Sequence, residues 1–170
     1  MLRYTTRITN AKPYVVSFFG HDKACDRKYI RNQLQKLIHM LIIFNERTVF
    51  LIKPDMPFDE LAHNAIRREH KILTQAYSEI IEIPPYKKHK ITPNTNFKLK
   101  PRNKRFRRKE YKVSLGLSAD EVRRRSIVDR SDMIICYIDN ADDIAYSAVL
   151  YAYTQKKKRE LINLAEDEMY

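Results

Sequence analysis

The residues best able to do chemistry fall in a few short segments. His21 and Asp22 follow Gly20 at the end of an apolar run. A histidine there can donate to a ligand or move a proton, or simply bond a backbone carbonyl. Asp59, beside Phe58, can accept from a sugar hydroxyl or serve as a negative charge near a helix N-terminus. Arg123, Arg124 and Arg125 form a run that can either grip a phosphate or carboxylate bidentately or stand as a solvated helix face. His63 and His70 are seven apart, two helical turns, whereas metal pairs on helices favour spacings of three or four; no metal is expected. No G-x-S-x-G, P-loop or G-x-G-x-x-G motif occurs, and no Ser or Thr sits in a nucleophile context.

A second kind of chemistry is concentrated between Lys87 and Lys112. Twelve Lys or Arg stand there against one acid, Glu110, while the rest of the chain holds 21 basic and 20 acidic residues. Nearly all of the net charge of +12 thus belongs to one segment. Its cations, including Lys98, Lys100, Arg102, Lys104, Arg105, Arg107 and Arg108, are interleaved with aromatics such as Phe106. Phosphate neutralisation combined with base stacking is how single-stranded nucleic acid is held. A solvated loop, a contact for an acidic partner or a lid over a ligand cleft are the competing readings.

These residues are positioned by a regular alternation of elements. Tyr14–Phe19, Thr48–Ile52, Ser78–Ile83, Met133–Ile138 and Glu160–Leu164 read as strands. Helical spacing runs from about Asp26 to Asn45, with Ile30, Leu34, Leu37, Ile38 and Leu41 on one face. A second helix covers Phe58 to about Gln75, with Leu61, Ala65, Ile66 and Ile72 as its apolar face. Ser118-Ala-Asp-Glu121 has capping-box spacing and opens a helix to about Arg130. Asp143–Lys157 is the last helix. Strands apolar throughout, separated by amphipathic helices, are the pattern of parallel strands buried on both faces. The expectation is one α/β domain over residues 1–170: a Rossmann-like three-layer sandwich with a mostly parallel sheet, interrupted by a basic loop at about 86–117. In such sheets ligands sit beyond the carboxyl ends of the strands. Gly20 to Cys25, Lys53 to Asp59 and Asp139 to Asp143 would therefore line the site.

Composition bounds the rest. Two cysteines, Cys25 and Cys136, do not make a disulfide framework or a zinc site. The longest apolar stretch, Leu37 to Phe44, is too short to span a bilayer, and no charged-then-apolar leader is seen, so a reducing cytoplasm and no membrane partner are expected. Only Gly20 and Gly116 are glycines, where about twelve would be usual.

Four segments, in order, resemble the YpsA-like group of the SLOG superfamily. Phe19-Gly20-His21 resembles its "F-x-G-H-R" opening, and Phe58-Asp59 its "G-x-F-D" element. Arg123 through Ile135 is similar to "R-N-x-x-M-V-D-x-S-D-x-(I/L)-I", and Lys157 through Leu164 to "K-K-G-K-x-I-I-N-(I/L)". The resemblance implies a nucleotide-binding Rossmann-like fold, with Gly20, His21, Asp22, Phe58, Asp59, Arg123, Asp142, Asp143 and Ser147 around a nucleotide derivative, and no certain cofactor. The chain departs from the pattern at Asp22 (for Arg), Arg124 (for Asn), and Met56 and Pro57 (for glycines). It also lacks the "G-G-T" before the last helix, in Asp142 to Ser147. Loss of those glycines removes backbone N–H groups that would meet a phosphate, and Asp142 and Asp143 would repel one. The reading that follows is a diverged, non-catalytic ligand-binding domain. Nucleic-acid binding through the basic segment is the alternative. Hydrolysis of a nucleotide N-glycosidic bond, as in LONELY GUY relatives, ranks last because "P-G-G-x-G-T-x-x-E" is absent.

Overall fold

A computed structural model describes residues 11–20, 27–53, 56–73, 78–83, 117–140 and 144–165. Asp26, Cys25 and the basic segment lie outside them. The elements run β1 (Tyr14–Gly20), α1 (Arg27–Phe44), β2 (Thr48–Ile52), α2 (Pro57–Ile72), β3 (Ser78–Glu82), α3 (Ala119–Arg130), β4 (Met133–Tyr137), α4 (Ile144–Thr154) and β5 (Glu160–Asn163). All five strands are parallel, in the order β3-β2-β1-β4-β5. The chain builds outward from β1 in one direction and then crosses back to β4. The topological switch point, where ligands gather in such sheets, lies between β1 and β4.

The absence of polar alternation along the strands has a direct cause: both faces are covered. Val16, Phe18, Phe50, Ile52, Ile135 and Tyr137 face α1 and α2. Their sequence neighbours Val15, Phe19, Val49, Leu51, Ile134 and Cys136 face α3 and α4. Ile30, Leu34 and Ile38 of α1 are fully buried against the first of these faces. Burying each such side chain stabilises the fold by about 1.5–3 kcal/mol. On α2 the buried stripe is Phe58, Ala62, Ala65, Ile66 and Glu69, whereas Ile72 is 58% exposed. The expected apolar face was therefore rotated: packing against α1 places Glu69, not Ile72, inside.

Local chemistry sets the ends. Asn45 stops α1 by donating its side-chain N–H to the Leu41 carbonyl at 2.8 Å. Ser118 accepts from the Glu121 backbone N–H at 3.1 Å, half of the expected capping box. The Glu121 carboxylate does not return to Ser118; it is held by Arg124, Arg125 and Ser147.

Asp132 fastens three strands at the amino edge of the sheet. Its backbone N–H donates to the Val15 carbonyl at 2.7 Å, and its carboxylate accepts from the Val15 N–H at 3.0 Å. Its carbonyl accepts from the Glu160 N–H at 3.0 Å, while Lys157 Nζ reaches the carboxylate at 2.8 Å. Next to it, buried Ser131 bonds both the Ser17 hydroxyl and the Ile127 carbonyl, each at 2.8 Å. The adjacent Ser131 and Asp132 thus join β1, β4 and β5. Replacing Asp132 with Ala should cost about 1–3 kcal/mol in denaturant unfolding, because the Val15 N–H loses its acceptor. Asp132→Asn, which keeps an acceptor, should cost less.

Candidate functional site

The carboxyl edge of β1 and β2 is the place to look for a ligand. Phe19 and Gly20 from β1, Lys53 from the end of β2, Met56 and Asp59 from the start of α2, Arg124 from α3 and Ala145 from α4 meet there. The void they enclose is about 10 Å³, the room of one water molecule.

Gly20 explains part of that narrowness. A Cβ at this position would lie 2.2–2.4 Å from Cγ, Cβ and Cδ1 of Phe58. The glycine is required by space: it lets the start of α2 approach β1. Phe58 is wholly buried and stacks on Tyr137, with ring centroids 6.3 Å apart. Phe58, expected to touch a ligand, is therefore a core residue.

Asp59 is 1% exposed and lines the void, not the solvated rim of the helix. Arg123 is 5% exposed, and its guanidinium donates to the Ile83 carbonyl, tying α3 to the end of β3. This corrects the solvated-face reading for Arg123. Arg124, which occupies the position of an Asn in the resembling pattern, is the arginine that reaches the cleft. Arg124 donates to Glu121 Oε2 at 2.9 and 3.2 Å, Arg125 donates to Oε1 at 2.8 Å, and Ser147 Oγ lies 3.2 Å from Oε2. Ser147 thus serves Glu121. Burial pushes the Glu121 carboxyl up, but the hydrogen bonds from Arg125 and Arg124 outweigh it and hold it below the ordinary carboxylate range. Arg125 also lies over the Tyr151 ring at 4.7 Å, and Tyr151 donates to Asp129 at 3.2 Å.

His21, Asp22, Asp142, Asp143 and the basic residues Lys98, Lys100, Arg102, Lys104, Arg105, Phe106, Arg107 and Arg108 lie outside the described residues. His63 and His70 do not converge. His63 Nε2 stands 3.5 Å from Glu82, and His70 Nε2 pairs with the Ser78 hydroxyl. Among the described residues no group of three or more His, Cys, Asp or Glu could hold a metal ion.

Phe19, Lys53, Met56, Arg124 and Ala145 line the cleft without being among the expected ligand residues, although the loop that carries Lys53 and Met56 is one expected to line the site. The signal was available: a lysine directly after an apolar strand falls at the carboxyl edge of a parallel sheet. A larger cavity, about 590 Å³, opens at the opposite edge. Several of its polar groups are paired: Tyr14 donates to Glu160 at 3.0 Å, Arg47 meets Glu79 outside the cavity at 3.4 Å, and Asp132 is held as described. Burial and Glu160 push the Tyr14 phenol up to about 12.

No protein-family model, curated protein or solved structure matches the chain. No described helix is long and apolar enough to cross a membrane.

Two outcomes follow from this geometry. Gly20→Ala should destabilise by about 1–3 kcal/mol or more in thermal or denaturant melts, since the clashing atoms sit near the Phe58 backbone and α2 must shift. Glu121 and Asp132 both have folded pKa values below their ordinary ones of 4.5 and 3.8. Their contributions are complete above those values and are lost as pH falls through the folded pKa values. A melting profile from pH 6 to pH 2 should fall mainly below about pH 4.5, and Glu121→Gln should flatten it.

Proposed function

We propose that this chain is a non-catalytic ligand-binding domain of Rossmann-like type, diverged from the YpsA-like SLOG pattern. Its ligand is a small anionic metabolite, a nucleotide derivative, held at the carboxyl edge of β1. The observation that carries this reading is the meeting of Lys53 and Arg124 beside Gly20 and Asp59 at the carboxyl edge of β1 and β2. Two cations at one end of a parallel sheet offer charge-assisted hydrogen bonds to a phosphate or carboxylate. Asp59 in the same wall can accept from a hydroxyl of the ligand.

The size of the void refines the ligand. A space of about 10 Å³ does not take a nucleotide whole. The anionic group would engage Lys53 and Arg124 at the mouth, with the remainder outside the void. Gly20 is committed to Phe58, so side chains, not glycine amides, would meet the anion. Binding without turnover is favoured because the sequence has no recognisable nucleophile motif.

Calorimetric titration with AMP, ADP and ADP-ribose tests the reading. One-site binding is expected, weakened about tenfold by Arg124→Gln or Lys53→Gln, as expected for loss of one charge-assisted bond. No heat at millimolar ligand would rule the reading out, and release of free base from the titrant would show an enzyme instead.

A further inference from the structure

Sorting the charges by layer gives a picture that counting along the chain hides. The described residues hold 18 Lys or Arg against 12 Asp or Glu, and the excess is not spread evenly over the two faces. On the α1–α2 layer, Lys28, Arg31, Lys36, Arg67, Arg68 and Lys71 are exposed. The sequence of α1 has no acid, and of the three in α2 only Glu60 is exposed. Asp59 and Glu69 are 1% and 2% exposed.

On the opposite side more of the cations are paired, although Arg130, Lys156 and Lys158 form no such pair among the described residues. Arg124 and Arg125 are paired with Glu121, Lys157 with Asp132, and Arg159 with Asp129. Among the described residues, Arg31, Lys36, Arg67, Arg68 and Lys71 form no such pair. Cations gathered on one face with few exposed acids create a positive potential that attracts a polyanion.

The same layer has a groove with amide side chains on its walls. Two adjoining cavities of about 400 and 220 Å³ between α1 and α2 share Gln35. Asn32 and His39 line the first, and Asn64, Arg31 and Arg68 the second. Buried Glu69 fixes two of these groups: it accepts from Gln35 Nε2 at 3.1 Å and bonds His39 Nδ1 at 2.8 Å. At the carboxyl end of α1, Phe44 is 81% exposed.

We propose that the α1–α2 layer is a docking surface for single-stranded nucleic acid. Phosphates meet Arg31, Lys36, Arg67, Arg68 and Lys71, groove amides bond base edges, and Phe44 offers a face on which a base stacks. From Lys28 to Lys36 the helix rises roughly 12 Å, the length of three or four stacked nucleotides at about 3.4 Å each. An anionic lipid surface fits less well. It would cover the amide groove without returning its hydrogen bonds. The surface is distinct from the small-ligand cleft.

Fluorescence anisotropy of a labelled 15-nucleotide single strand, from about 50 to 200 mM salt, tests the proposal on the full chain. The combined variant R31Q/R67Q/R68Q/K71Q should lower the slope of log affinity against log salt by about 3, at about 0.7 per lost phosphate contact. Affinity at the low-salt end should fall at least about tenfold. Should that variant melt abnormally, R67Q/K71Q should give about half the slope change. Phe44→Ala should weaken binding while leaving the slope unchanged. The proposal is overturned if the strand does not bind or if the charge-removing variants leave the slope unaltered. Loss produced only by substituting Arg102, Arg105, Arg107 and Arg108 would overturn it too, as would binding to phosphatidylserine vesicles alone. ADP-ribose titration of the same variants should be unchanged, which keeps this outcome separate from the fate of the small-ligand reading.

Discussion

The fold hangs on β1, which sits at the centre of the sheet and is buried on both faces. Asp132 holds its first residues by pairing both main-chain groups of Val15, and passes the same alignment on to β5 through the Glu160 N–H. Burial raises the Asp132 carboxyl, yet Lys157 and the Val15 N–H more than compensate, so the group stays ionised where the strands need it. At the other end, Gly20 admits Phe58, and Phe58 seats α2 against Tyr137. Anchoring at both ends fixes which side chains of β1 face each helical layer.

This arrangement changes the meaning of several conspicuous residues. Ser131 and Asp132, within the segment that resembles the YpsA-like pattern, join strands. Gly20, the single glycine kept at a presumed ligand loop, makes room for an aromatic ring. Arg123 fastens α3 to β3, while its neighbour Arg124 faces the cleft. Part of such a pattern therefore reflects the requirements of the sheet, and the proposed recognition of an anion passes to Lys53 and Arg124.

Much of the architecture was legible from the sequence because the strands are short apolar runs with clear stops. Thr48–Ile52 was bounded to the residue, and Ser118 capped its helix as expected. The apolar face of α2 was less legible, since a buried Glu69 paired with Gln35 and His39 looks polar in the chain, and an exposed Ile72 looks apolar. Whether Arg123 is buried depends on where the end of β3 lies, a tertiary fact. The uneven charge of the two helical layers was also invisible, because it appears only when α1 and α2 are placed side by side and away from the acids of α3 and β5.

The two proposed ligand surfaces share one chemistry, anion recognition, at separate places. The most direct measurement is an amide-resolved NMR titration of the full chain with ADP-ribose. The account predicts shifts centred on Gly20, Lys53, Asp59, Arg124 and Ala145, with the α1–α2 cations unmoved. Shifts confined to Arg31, Arg67, Arg68 and Lys71, or no shifts at millimolar ligand, would contradict it.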